Sequence, residues 1–287
     1  MFDELNKLLD FASKIPIAEK TEQFTDWLTS KFAFLFDVIK DYFGNFMDWT
    51  ADALTAIPPI IFILVIAVIA FFLSGKKFGL AAFSIVGLWL IYNQEYWSHM
   101  IETLSLVIVA SILSVIIGIP TGILMSKSRI AETIITPVLD FMQTMPAFVY
   151  LIPAVAFFGI GMVPGVFASL IFATPPTVRF TNLGIRQVSK ELVEASEAFG
   201  STGTQKLFKV ELPMARKTIM AGINQTVMLA LSMVVTASMI GAPGLGREVL
   251  SSLQRAQVGT GFVAGIGIVI LAIIIDRFTQ KANKDQS

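Results

Sequence analysis

Seven apolar blocks take up about half of this 287-residue chain and constrain it more than any other feature. They run roughly Ile57–Leu73, Phe78–Tyr92, Ile101–Met125, Thr133–Ile160, Pro164–Phe180, Lys217–Gly241 and Gly261–Phe278. In hydrocarbon every backbone N–H and C=O needs an internal partner, so blocks of this length are predicted to be helices. About 20 apolar residues cross a bilayer core, so the chain has room for six to eight crossings plus loops. The expectation is an all-α transmembrane fold with about seven membrane-spanning helices. The second block is short. The fourth is long and carries Pro137, Pro146 and Pro153, which predicts a bent helix.

Only 15% of the residues are charged and mean hydropathy is +0.74, against roughly 25% charged in a soluble domain. The formal net charge of zero gives nucleic acid nothing to bind. With no cysteine, disulfides and thiolate chemistry are excluded, and the single histidine, His99, sits beside a predicted span end. No G-x-x-x-x-G-K-[ST] loop is present to cradle phosphates, and no H-E-x-x-H to hold zinc. The Gly-x-Gly pairs at 159/161, 244/246, 259/261 and 265/267 lack the strand–turn–helix setting of a dinucleotide site. No catalytic residue, metal or cofactor is therefore expected in this chain. The first 22 residues carry Asp3, Glu4, Asp10, Glu19 and Glu22 and no continuous apolar run, so no cleavable signal peptide is expected.

Lysine and arginine set the expected orientation. With residues 1–56 outside, the inner segments hold Lys76, Lys77, Lys127, Arg129, Arg179, Arg186, Lys190, Lys206, Lys209, Arg216, Lys217, Arg277, Lys281 and Lys284, which is 14 of 21 basic residues. The outer loops after the first span hold only Arg247 and Arg255. An N-terminus outside and a C-terminus in the cytoplasm are predicted. Within the tail, Phe24, Leu28, Phe32, Leu35, Ile39, Phe43 and Phe46 recur at helical spacing while Lys31, Asp37, Lys40, Asp41 and Asp48 take other faces. Such a helix either lies in the membrane interface or packs on a neighbouring span.

The longest polar loop within the membrane region is Asn182–Arg216, on the predicted cytosolic side. Ser189 is placed to cap a helix Lys190–Phe199, with Val188 and Val193 as a hydrophobic staple. Gly200 follows, suited to the left-handed turn after a helix. A second short helix is expected at about Thr204–Val210, stopped before Leu212-Pro213. Leu192, Ala195 and Phe199 share a face, and Ala195 and Ala198 allow close approach of another backbone.

Glu194-Ala195-Ser196, then Gly200, Val210 and Leu212-Pro213, resembles the EAA loop of ABC importer permeases. Ser196 stands where that pattern has a second alanine, and Val210 where it has isoleucine. The segments Leu139–Gly161, Pro175–Arg179, Glu197–Thr202 and Ala237–Gly246 are similar to glycine betaine transporter permeases, and the likeness covers roughly residues 57–280. The resemblance implies a bacterial inner-membrane protein of the type I importer class. Its implied partners are a second permease copy, two cytosolic ATPase subunits that bind ATP and Mg, membrane lipid, and an extracytoplasmic binding protein delivering a quaternary-ammonium osmolyte. It further implies that Glu194 contacts the ATPase, Ala195 permits close approach and Gly200 makes the turn. Leu212-Pro213 would redirect the chain into the next span. The domains then read as an amphipathic region at 1–56, two accessory helices at 57–97, and a permease core at 98–287 with its coupling loop at 182–216.

Two further sets of residues are singled out. Asp140 and Arg179 are the ionisable residues set deepest in the apolar blocks, and a charge in lipid marks a pathway or a pair, so an intramembrane ion pair is expected. Phe148, Tyr150, Phe157 and Phe158 offer ring faces that attract quaternary ammonium groups, as a translocation path would. Competing readings are the same machine with another cargo (choline, carnitine or an amino-acid-like solute), an ion-coupled secondary transporter, and a membrane-anchored sensing or assembly protein.

Overall fold

A computed structural model describes residues 16–282; most of the stretch relevant to a signal peptide, and Lys284, lie outside it. The described residues form α1 (Ile17–Lys31), α2 (Ala33–Thr55), α3 (Pro59–Leu73), α4 (Phe78–Asn93), α5 (Trp97–Lys127) and α6 (Arg129–Thr144). A 3₁₀ turn (Ala147–Tyr150) leads to α7 (Leu151–Phe158) and α8 (Met162–Arg186). Then come α9 (Lys190–Ala198), α10 (Gly203–Lys206), a π-turn (Leu207–Glu211), α11 (Leu212–Ser238), α12 (Leu245–Gln254) and α13 (Val258–Ala282). No strand occurs among the described residues.

The core is a three-helix axis in which α8 packs between α5 and α11. Lipid tails give no hydrophobic drive to bring helices together, so close contact depends on small residues. Gly122 of α5 and Gly222 of α11 provide it. A Cβ on Gly122 would lie 2.6 Å from the Val178 carbonyl oxygen of α8, and one on Gly222 would lie 2.6 Å from Phe180 Cβ. Leu106, Ala110, Val166, Ala173, Ala230 and Val234 fill the space between the three helices. Pro175 and Pro176 are accommodated within α8, where hydroxyls bond the flanking carbonyls. Thr226 Oγ1 donates to the Ala173 carbonyl at 2.8 Å, and Ser114 Oγ to the Leu170 carbonyl at 3.3 Å. Helices α3 and α4 pack on each other and on α13 through Phe62, Leu88 and Ile270.

Among the described residues, three stretches are long and apolar enough to cross a membrane: α5, the continuous helix from Gly203 to Ser238, and most of α13. The number rises to five if each of two bent pairs is a span. The seven apolar blocks therefore do not map one-to-one onto seven straight spans. The fourth block is two helices, not one bent helix: α6 and the segment Ala147–Phe158 meet at 111°. Met145, which precedes Pro146, is extended at φ −68°, ψ 134°, as steric clash with the proline ring requires. In α8, Pro175, Pro176, three threonines and Arg179 dilute the apolar character of a helix 25 residues long.

The tail helix α2 meets α3 at 89°. One of its faces packs on the bundle, with Met47 fully buried and the Phe43 ring 5.3 Å from Phe167 of α8. Phe34, Tyr42 and Trp49 on its other side are exposed.

Candidate functional site

The loop between α8 and α11 begins with an exposed helix. Glu194, Ala195 and Gly200 are exposed and Ser196 half-buried, while Phe199 is 91% exposed. Phe199 and the exposed Ala195 lie one turn apart on this helix. Ser189 occupies the N-cap position, but its hydroxyl caps nothing. Only its carbonyl is used, by Val193 N–H at 3.2 Å. Val188 packs against the cluster of Ile185, Ala215 and Ile219 at the root of the loop.

The end of α9 follows its sequence. Gly200 has φ +78°; Ser201 N–H donates to the Ser196 carbonyl at 3.1 Å and Gly200 N–H to that of Glu197 at 2.9 Å. These two bonds form the paired closure that satisfies orphan carbonyls at a helix end, and a glycine takes the positive φ without a Cβ clash. Thr202 then starts α10 with a reciprocal box. Its Oγ1 accepts from Gln205 N–H at 3.3 Å, and Gln205 Oε1 accepts from Thr202 N–H at 2.9 Å.

The structure departs from expectation at Leu212-Pro213. Helix runs unbroken from Gly203 to Ser238, so these residues do not turn the chain. Proline lacks an N–H and crowds the carbonyl four residues back. The helix absorbs this by widening one turn, with Leu212 N–H bonding the Leu207 carbonyl, an i→i+5 spacing. Val210 is half-buried within that turn and Pro213 is exposed just after it.

Four charge pairs lace this end of the molecule. Lys206 Nζ donates to Glu197 across the α9–α10 corner, and Lys127 Nζ to Glu211. Arg186 Nη2 donates to Glu132 Oε2 at 2.7 Å and to the Met125 carbonyl at 3.0 Å. Arg179 Nη2 donates to Asp140 Oδ1, joining α8 to α6, with both side chains partly exposed. The hydrogen bond to Glu197 raises the Lys206 ammonium above the ordinary lysine pKa, with the Glu197 and Glu211 charges adding to it against the pull of burial.

The four candidate path aromatics are not equivalent. Tyr150 is 3% exposed, its hydroxyl donating to the Met142 carbonyl and its ring 5.9 Å from Phe172. Phe157 stacks on Phe36 of α2 at 4.9 Å, and Phe158 on Phe167 at 4.3 Å. Phe148 alone of the four is largely open, at 58% exposure.

Sequence reasoning missed several groups that the fold brings together. Glu132 and Glu211 were not singled out, because their partners lie 54 and 84 residues away. The network of Asn224, Asp276 and Thr279 joining α11 to α13 was missed for the same reason. The Thr202–Gln205 box, by contrast, is a local signature that the residue spacing carries.

The family profile described as "Binding-protein-dependent transport system inner membrane component" matches residues 114–285, which includes the loop and its charge pairs. The chain belongs to this family. As an inner-membrane component of a binding-protein-dependent transport system, the protein works with a substrate-binding protein and an ATPase. Relatives of this transport component are similar along nearly the whole chain. A glycine betaine/carnitine transport permease protein of Listeria monocytogenes is 58% identical, covering 94% of this chain and 96% of its own. A glycine betaine transport system permease protein of Bacillus subtilis is 51% identical, covering 95% and 96%. A glycine betaine/proline betaine permease protein of Escherichia coli is 46% identical, covering 94% and 76%. Among solved structures, an inward-facing form of the MetNI methionine ABC transporter shares the fold. It matches with TM-score 0.59 at 21% identity, covering 69% of this chain and 96% of that one.

Proposed function

We propose that this inner-membrane component is the permease of an ABC importer for glycine betaine or a closely related quaternary-ammonium osmolyte. It works as a homodimer with two cytosolic ATPase subunits and receives its cargo from an extracytoplasmic binding protein. The tail lies outside and the C-terminus in the cytoplasm, as the clustering of 14 of the 21 basic residues on one side supports. The exposed face of α2, rich in Phe, Tyr and Trp, lies in the lipid interface.

The observation that carries the mechanism is the exposed, cleanly terminated α9. A short helix fixed at one end by Gly200 and presenting Leu192, Ala195 and Phe199 to its surroundings is a rigid plug. In this reading it seats in a groove of the ATPase, with Glu194 in contact and Ala195 at closest approach. Closure of the ATPase dimer on ATP shifts the plug, and the continuous helix beyond Gly203 carries the shift into the membrane. The Asp140–Arg179 pair braces α6 against α8 at the same end. If so, reversing both charges recovers uptake that either single reversal loses; failure to recover removes the brace.

The test of the whole reading is co-purification with an ATPase subunit, followed by uptake in proteoliposomes. Glu194→Lys and Gly200→Trp are expected to leave ATP hydrolysis running while uptake falls. Uptake by the chain alone, driven by an ion gradient, would replace this reading with a secondary transporter. Cargo is set by assaying glycine betaine, carnitine and choline with the partner binding protein.

A further inference from the structure

The loop is tied at both roots to one place, the corner where α5 turns into α6 at residues 125–132. On the incoming side Arg186 holds Glu132 and the Met125 carbonyl. On the outgoing side Glu211, the last residue of the π-turn, is 5% exposed and accepts from Lys127 at the end of α5. The Glu211 charge also acts on Lys206, which in turn holds Glu197 near the end of α9. Opposite charges thus alternate from α9 to α5: Glu197, Lys206, Glu211, Lys127.

A buried carboxylate is expensive unless paired, and an apolar side chain of similar size would cost less. Glu211 sits where something beyond packing is needed. A π-turn is wider and less tightly bonded than an α-turn, and such turns gather at functional positions. Left untied, this one would flex and absorb a displacement arriving from α9. The corner it is tied to opens directly into α6, whose far end is broken from the next helix at Met145-Pro146. That break separates α6 from the next helix, while Glu132 and Asp140 pair it to α8, so that α6 and α8 are placed to move together.

We infer that Glu211 is a positioning residue for energy coupling: paired to Lys127, it locks the π-turn to the α5–α6 corner, so that movement of α9 reaches α6. The inference rests on the reading of α9 as the ATPase-docking helix.

The test uses the complete complex in proteoliposomes, with glycine betaine as the probe and uptake per ATP hydrolysed as the readout. Glu211→Gln keeps the shape and removes the charge, and Lys127→Gln breaks the same pair from its more exposed side. Both are expected to lower uptake per ATP about tenfold while hydrolysis continues, within the usual range for coupling between sites. Lys127→Arg keeps the charge and is expected to preserve the ratio. An unchanged ratio in both Gln variants overturns the inference. So does a parallel loss of hydrolysis and uptake, which would mark the pair as structural only. If the unsubstituted chain takes up substrate without any ATPase subunit, the docking reading fails first, and that is seen before any substitution is made.

Discussion

The two ends of the α5–α8–α11 axis are held by different means. At the loop end, ion pairs from Lys127, Arg179, Arg186 and Lys206 cross between elements, and a buried carboxylate anchors the widened turn. At the other end, α12 begins after Gly241 and Gly244, both at positive φ, and a long-range hydrogen bond helps to pin it: Leu245 N–H to Thr103 Oγ1 at 2.9 Å. His99 stands between Glu102 at 3.3 Å and Glu248 at 3.7 Å, beside a cleft of about 830 Å³ lined by Arg247, Ser251, Gln254 and Arg255. On the proposed coupling mechanism, the ion-paired end is the stiffer input and the glycine-flanked end the hinge. In a lever that takes force at one end and opens at the other, that is the expected division: the input must not yield and the output must.

The contrast is sharpened by substitutions at each end. The largest effect is expected for Gly200→Trp, which puts a bulky L-residue at φ +78° at the end of α9, the proposed docking helix. ATP-driven uptake should be lost by well over about tenfold, since a strained left-handed residue alone costs about 1–3 kcal/mol. Uptake assays with the assembled complex check this. Glu211→Gln comes next, with its roughly tenfold loss in uptake per ATP. At the hinged end, Thr103→Val leaves the buried Leu245 N–H unpaired at a cost of about 1–3 kcal/mol. It should alter the rate of uptake several-fold and leave uptake per ATP near its starting value. His99→Gln should have the smallest effect, because polar contacts between partly exposed side chains contribute about 0–1 kcal/mol. A stronger loss of coupling from Thr103→Val than from Glu211→Gln would reverse the assignment of stiff and hinged ends.

What the sequence reveals follows the range of the interactions. Gly200 is legible as a helix stop because the signal is local, a glycine directly after an amphipathic turn. The Thr202–Gln205 box is equally local, although the helix was expected to start at Thr204. Pro146 marks the position of the break in the fourth block, but the 111° angle depends on how α6 and α7 pack on α8. Pro213 misleads because a proline after a leucine reads as a stop; only the π-turn ahead of it lets helix continue. The Lys127–Glu211 pair spans 84 residues, and nothing in the local pattern around either residue announces the other. Asp140 and Arg179 were legible for a different reason, since a charge set in an apolar block stands out wherever its partner lies.

On the proposed function, α9 meets the ATPase inside the cell. The chain has no cysteine of its own, so Ala195→Cys provides a single reactive thiol at the middle of the docking face. In the assembled complex, this thiol is expected to crosslink to the ATPase subunit, and the crosslink to stop uptake. Labelling of the same thiol by an impermeant reagent from outside intact cells, with no crosslink to the ATPase, would contradict it.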